Sequence, residues 1–166
     1  MAHVDRTALA ATTLNSKWWL DVQSGGTFGA PTWVPVAGIM EFKHTKDTTL
    51  QDDSDFDGVG FKSSVATALA WSITLKLKRA PTIASAVTYN AGQEALRTAS
   101  DLLGTLNRVD VRWYEITASG PITEAYRGFA AVSWDEDGGG MDAVDTVTCV
   151  LTGQGARTTT LAHPDA

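Results

Sequence analysis

The sequence of 166 residues contains a single cysteine, three histidines and no long uninterrupted apolar stretch. One cysteine excludes an internal disulfide, and Cys149 lies in a strand-like stretch where a lone thiol is expected to be a small buried hydrophobe. No segment approaches the ~20 apolar residues that a membrane helix needs. The short Thr-rich apolar run that follows Asp5 and Arg6 is too weak for a secretory signal, so no passage into or across a membrane is predicted.

Positive charge is also scarce, with 13 Lys and Arg against 19 Asp and Glu and a net charge of −6. A protein that grips nucleic acid needs clustered cations, so the composition argues against that class, although a surface that repels DNA is compatible with it. An apolar content of 43% and a charged content of 19% indicate one ordinary globular domain. The six Trp residues require a deep core or subunit interfaces to cover them.

The residues of common catalytic sites do not occur in a useful arrangement. There is no Gly-x-Ser-x-Gly motif, and the histidines lie in a predicted N-terminal arm, a loop and a tail (His3, His44 and His163). Neighbouring carboxylates lie on strand faces or in a turn, with no sign of burial (Glu115 with Glu124, Asp135 with Glu136). The sequence therefore predicts neither an enzyme nor a cofactor.

Alternation of apolar and polar side chains predicts a mainly β protein. The clearest case is the strand in which Trp71, Ile73, Leu75 and Leu77 face the core, between polar residues that include Lys76 and Lys78. Further strands are predicted over residues 17–23, 33–43, 108–117, 122–134 and 142–152, with turns at 118–121 and 135–140.

One helix is predicted between Asn90 and Gly104. Asn90 is a suitable N-cap, Gln93 occupies the capping-box position and Gly104 is the kind of residue that ends a helix. An apolar stripe at helical spacing would lie on a sheet and cover it (Ala95, Leu96, Ala99, Leu102 and Leu103).

An acidic segment, Gln51–Gly58, lies between two strand-like stretches. Because its charges cannot be buried without partners, residues 44–67 are predicted to form a loop that projects from the sheet. Its exposed acids and aromatic residues are candidates for contacts with another subunit (Asp52, Asp53, Asp55, Phe56, Asp57 and Phe61).

The same segment resembles the first half of an EF-hand calcium loop, with acids at alternate positions followed by Gly58. Ser64 stands where a bidentate Glu would be required, and neither flank is helical. Calcium therefore remains an alternative to ionic docking, and docking is favoured. Gly58, Gly60 and Lys62 do not match a phosphate loop, because the spacing is wrong and acids precede them.

The arrangement over residues 33–78 resembles the major tail tube proteins of phages with long, non-contractile tails. It consists of the Trp33-Val34-Pro35-Val36 strand, a continuation after Gly38, the acidic loop and the alternating Leu and Lys residues that follow Trp71. The weaker resemblance extends over most of residues 17–152.

This resemblance implies a single domain, residues 1–166, with two packed antiparallel sheets forming a sandwich or flattened barrel and one flanking helix. Six copies would close into a ring, and stacked rings would form the virion's tail tube, assembled in the bacterial cytoplasm. Residues 44–67 would reach a neighbouring subunit, while residues 1–15 and 153–166 would be terminal arms. Tape measure, tail terminator and distal tail proteins are the implied partners.

DNA would pass through such a tube without specific binding, since six subunits carry about −36 charges. The lumen-facing residues are not predicted. Two alternatives remain: the inner tube of a contractile injection or secretion system, and a monomeric Ig-like or β-barrel module that binds a ligand.

Overall fold

A computed structural model of the protein describes residues 17–54, 62–81, 88–115 and 124–158. In these ranges there are seven strands and one α-helix, α1 (Ala91–Ser100), which is followed by a short 3₁₀ helix (Gly104–Asn107). The strands, in chain order, are β1 (Trp18–Thr27), β2 (Ala30–Pro35), β3 (Ile39–Asp52), β4 (Ser64–Lys78), β5 (Arg108–Glu115), β6 (Ala125–Glu136) and β7 (Thr146–Gly153).

All seven strands belong to one antiparallel sheet, in the order β2-β1-β5-β6-β7-β4-β3. The prediction of a mainly β fold with one helix is confirmed, but the two separate sheets are not. Alternation along a strand specifies which side chains face the core, whereas it does not specify where one sheet ends and another begins.

The sheet curls strongly, so that its two ends face each other. Trp18 of β1 and Phe42 of β3 are five strand positions apart, which would be about 24 Å in a flat sheet. Their ring centroids are only 5.7 Å apart and the rings are nearly parallel. The concave face of one curled sheet therefore encloses the core that two sheets were expected to enclose.

The core consists of inward-facing side chains from six strands and from α1. The four alternating residues of β4 are among them, as their pattern predicts, and Cys149 of β7 is fully buried. The largest fully buried side chain is that of Trp113 in β5, whose ring centroid lies 4.9 Å from that of Trp71.

Residues 44–67 were predicted to be a loop, and this is wrong for most of them. Residues 44–52 continue β3, and residues 64–67 begin β4. The two strands remain paired as far as Asp52↔Ser64. The loop was predicted because the acids of Gln51–Gly58 cannot be buried. A hairpin whose strands pair through their backbones can leave these side chains in solvent, so charged residues are compatible with paired strands.

The predicted second strand, 33–43, is divided in two. β2 ends at Pro35, which cannot donate to a ladder, and β3 begins at Ile39, so residues 36–38 join the two edge strands. The predicted tail also begins later than residue 153, because Thr158 still pairs with Arg127 of β6.

The helix is shorter than predicted. Asn90 caps it by accepting from the Gln93 N–H. The Gln93 side chain does not complete a capping box; it is buried and donates to the carbonyls of Ala37 and Lys78. Leu96 and Ala99 face the core, but Leu103 is 88% exposed, because the helix ends at Ser100 and the stripe loses its periodicity there.

Candidate assembly surfaces

The outer half of the β3–β4 hairpin extends beyond the rest of the sheet. β4 pairs with β7 only from Ser72 onward, so residues 47–52 and 64–70, here called the arm, pair only with each other. Every residue of the arm is exposed. Six residues of strand span about 20 Å, which is the distance the arm extends from the sheet.

Apolar side chains lie on this arm with nothing covering them among the described residues. Leu50 is 62% exposed, Leu69 64% and Val65 48%. A two-stranded hairpin with free edges is marginally stable by itself and offers unpaired backbone groups to another chain. Uncovered apolar side chains on such a hairpin make the arm a candidate interaction surface.

Local hydrogen bonds close the described part of the arm's tip. Asp53 donates its N–H to the Ser63 carbonyl at 3.1 Å, and the Ser63 N–H donates to Ser54 Oγ at 2.8 Å. The Asp52 carboxylate accepts hydrogen bonds from the hydroxyl and from the N–H of Ser54. Both bonds lower the pKa of Asp52, and the bond from the hydroxyl has the larger effect. Asp52 therefore stays charged well below neutral pH.

Of the predicted contact residues, Asp52 and Asp53 are described, and both are exposed on the arm's tip. The others lie outside the described residues (Asp55, Phe56, Asp57 and Phe61). Among the residues that the structure describes, no three His, Cys, Asp or Glu side chains are grouped so that they could hold a metal ion.

Trp71 anchors the base of the arm. Its indole lies flat on the backbone of two neighbouring strands, where a Cβ on Gly153 would be 2.4 Å from the ring and a Cβ on Gly128 would be 2.6 Å from it. Its Nε1–H donates to the Gly155 carbonyl at 2.9 Å. The two glycines thus create the space for the ring, and the ring in turn holds the segment after β7 against the sheet.

A pocket of about 330 Å³ opens beside this ring. Its apolar wall is formed by Leu69, Ala70 and Trp71, and cationic side chains contribute from Lys46 and Arg157. Nη1 of Arg157 is buried and makes no hydrogen bond with any described residue. An unpaired buried donor costs about 1–3 kcal/mol, so this guanidinium is a place where an acceptor would be stabilising.

Arg157 also influences the aromatic cluster behind the pocket. Its guanidinium lies 4.3 Å from the ring centroid of Tyr126, and this ring is close to His44 and Trp18. Burial lowers the pKa of His44, and the nearby positive charge of Arg157 lowers it further, against a smaller opposing effect of Glu124. Both effects favour the neutral form of the His44 imidazole.

A second charged network lies on the opposite, convex face of the sheet, and sequence reasoning did not predict it. Asp21 of β1 accepts from Arg112 at 2.7 Å and from the Tyr114 hydroxyl at 3.1 Å. Asp110 accepts two hydrogen bonds of 3.1 Å from Nε of Arg127. Asp21 lies directly opposite Arg112 in the β1–β5 pair, whereas Asp110 lies opposite Phe129 and contacts Arg127 diagonally. Neither relation can be found in the sequence without the strand register.

Aromatic rings cover this network. The guanidinium of Arg127 lies 4.1 Å from the centroid of Phe28, which itself stacks on Phe129. Arg127 also donates to the Phe28 carbonyl at 3.0 Å. Asp21 is only 3% exposed and Asp110 only 4%. Because Arg127 binds both Asp110 and the Phe28 carbonyl, the network holds the β1–β2 turn against the sheet.

The remaining candidate chemical groups do not come together. The Glu115 N–H donates to the Glu124 carbonyl at 3.0 Å, and the Glu124 carboxylate accepts from the Tyr126 hydroxyl at 3.1 Å. Burial, and to a lesser extent Asp135, raises the pKa of the Cys149 thiol to about 12, which makes it a poor nucleophile. No described helix is long and apolar enough to span a membrane.

No protein-family profile matches the sequence, and no curated protein is similar to it. Solved structures do match. A chain in the tail of an empty gene transfer agent particle, refined with C6 symmetry, has a TM-score of 0.63 at 14% identity, over 90% of this chain and all of that one.

Two other solved structures extend this comparison. The SPP1 tail tube protein has a TM-score of 0.62 at 12% identity, over 90% of this chain and 81% of that one. A chain in the tube-terminating cap of the anti-feeding prophage has a TM-score of 0.57 at 14% identity, over 96% of this chain and all of that one. The protein therefore shares its fold with solved tail tube structures, as the resemblance over residues 33–78 indicated, although its strands form one curled sheet and not two.

Proposed function

We propose that this protein is a structural subunit of a phage tail tube. Six copies close into a ring, rings stack into a tube, and DNA passes through its lumen into the host. The observation that carries the proposal is the exposed arm, which extends about 20 Å beyond the sheet with uncovered leucines. A monomeric protein gains nothing from such a surface, whereas a subunit covers it with its neighbours.

The six-fold symmetry in this proposal is supported by the gene transfer agent tail, a structure refined with C6 symmetry. The arm then makes the contact between rings or subunits, with the acids of its tip nearest the neighbour. Tape measure, tail terminator and distal tail proteins are its expected partners, and the virion tail is its expected location, after assembly in the bacterial cytoplasm. No catalytic step is part of this function.

The inner tube of a contractile injection system is the second candidate. It is favoured by the anti-feeding prophage match, although the TM-score of 0.57 is below the 0.62 of the SPP1 tail tube and the 0.63 of the gene transfer agent tail. If the protein were instead a ligand-binding module of the Ig-like or barrel class, it should remain a monomer at all concentrations.

Electron microscopy of the purified, concentrated protein tests the proposal. We expect rings or tubes with an open central channel. Leu69→Asp should abolish them while the far-UV circular dichroism stays unchanged, and the matched control Leu69→Ile should preserve them. A wild-type sample that remains monomeric at high concentration, alone and together with tail initiation proteins, would contradict the proposed function.

A further inference from the structure

The pocket at the base of the arm has the chemistry of a receptor for the tip of another arm. We infer that this pocket, lined by Lys46, Leu69, Ala70, Trp71, Gly155, Ala156 and Arg157, binds the acidic and aromatic segment 52–61 of a second copy of this chain. The inference rests on the proposed function, because it names the contact through which subunits join.

Charge complementarity is the first argument. Lys46 is exposed at the pocket, and Nη1 of Arg157 is buried without a hydrogen-bond partner among the described residues. A carboxylate is the acceptor that a guanidinium pairs with most strongly. Segment 52–61 carries four carboxylates and no cation, so its charge is complementary to that of the pocket.

Apolar complementarity is the second argument. The pocket has an apolar wall that includes Leu69, which is 64% exposed, and the edge of Trp71. Segment 52–61 contains two phenylalanines, Phe56 and Phe61, spaced among its acids. A volume of about 330 Å³ is in the range of pockets that hold a small ligand or an aromatic anchor.

The arm's length prevents its own tip carboxylates from reaching the pocket of the same copy. Asp52 and Asp53 are separated from Lys46 by six to seven residues of paired strand, which is about 20 Å. Their carboxylates can therefore reach only the pocket of another copy. The contact is head to tail, with different surfaces on the two partners, and such contacts form a ring when the rotation between copies closes and an open stack when it does not. The contact inferred here is the one that stacks the rings.

Charge exchange between two variants tests the inference directly. The first variant, Lys46→Glu with Arg157→Glu, has an acidic pocket and an acidic tip. The second, Asp53→Lys with Asp55→Lys and Asp57→Lys, has a basic pocket and a basic tip. Either variant by itself should have a critical concentration for stacking about tenfold above that of the wild type, because its tip and its pocket carry the same charge and repel each other at every junction. An equimolar mixture should stack again, since each tip then meets a pocket of opposite charge.

A control variant, Lys43→Glu with Lys78→Glu, changes the net charge as much as the first variant does, at two exposed lysines outside the pocket, and it should stack like the wild type. Stacking of either test variant alone at the wild-type concentration would overturn the inference, as would a mixture that fails to stack or a control that fails equally. Wild-type rings or tubes in the same experiment would leave the proposed function standing in each of these cases. A wild type that never assembles would refute the proposed function itself.

Single-cysteine crosslinking tests the same contact without changing charge. Proteins carrying Ala156→Cys and Asp57→Cys, mixed and oxidised, should form a disulfide-linked dimer of the two variants; Cys149 is buried and does not compete. Replacing Ala156→Cys by Met141→Cys, at a fully exposed position away from the pocket, should remove the product. A third variant, Ala156→Cys with Asp165→Cys, tests whether the chain's own C-terminus occupies the pocket. An internal disulfide formed in this variant as a dilute monomer would show that it does and would overturn the inference.

Discussion

Replacing Gly153 by alanine should destabilise the protein by about 2–4 kcal/mol. The new Cβ would lie 2.4 Å from Cε2 and 2.5 Å from Nε1 of Trp71, which is closer than any real contact, so the indole or the strand must move. Overpacking of this kind costs about 1–3 kcal/mol. A shifted indole would also lose its hydrogen bond of 2.9 Å to the Gly155 carbonyl, which contributes about 1 kcal/mol.

The assay is urea unfolding followed by tryptophan fluorescence and circular dichroism. In thermal unfolding, the same loss of 2–4 kcal/mol corresponds to a decrease of Tm of roughly 5–15 °C in a domain of this size. The matched control is Gly140→Ala, because a Cβ at Gly140 meets nothing within 4 Å and should change stability by less than about 0.5 kcal/mol.

A double-mutant cycle separates the steric clash from other effects. Trp71→Phe removes the part of the ring that Gly153 contacts, so Gly153→Ala should cost less in that background than in the wild type. Equal costs in the two backgrounds, or a Gly153→Ala protein as stable as the wild type, would refute the reasoning that the glycine exists to accommodate the indole.

Three further predictions concern buried charges and the thiol. Cys149, whose pKa is raised to about 12, should resist thiol reagents at pH 8 in the folded protein and react fully in urea. His44 has a folded pKa below its ordinary 6.5, so its contribution to stability is complete above pH 6.5 and is lost as the pH falls through the folded value. Urea unfolding at pH 7.5 and 5.0 should show this loss, and His44→Gln should reduce it; an unchanged loss would contradict the assignment. Asp110→Ala should cost about 3 kcal/mol, because the mostly buried charge of Arg127 would lose its carboxylate and keep only the Phe28 carbonyl and ring, and an unchanged urea midpoint would show that the pair is not needed.

Several elements of the fold could be predicted because their signals are local. Asn90 caps the helix through a hydrogen bond to a residue three positions later, and the alternation in β4 requires only that one face be buried. The same locality explains the errors. Gln93 satisfies a local motif, yet its amide binds two carbonyls that are 15 and 56 residues away in the chain.

The candidate site was predicted only in part, for a related reason. The acidic tip is visible in the sequence because charge clusters along the chain. The pocket at the arm's base is assembled from β3, β4 and the segment after β7, and its cations, Lys46 and Arg157, are 111 residues apart in the sequence. Nothing in the local pattern connects them.

By itself, the sequence determined a mainly β domain with one capped helix, an acidic segment between two strands, and a resemblance to tail tube proteins. Composition, periodicity and capping act over a few residues, and they need no knowledge of the fold. Tertiary structure decided that one sheet curls on itself and that the predicted loop is mostly a paired arm. It also placed Gly128 and Gly153 beneath Trp71, because strand register and sheet curvature arise from contacts between residues far apart in the chain.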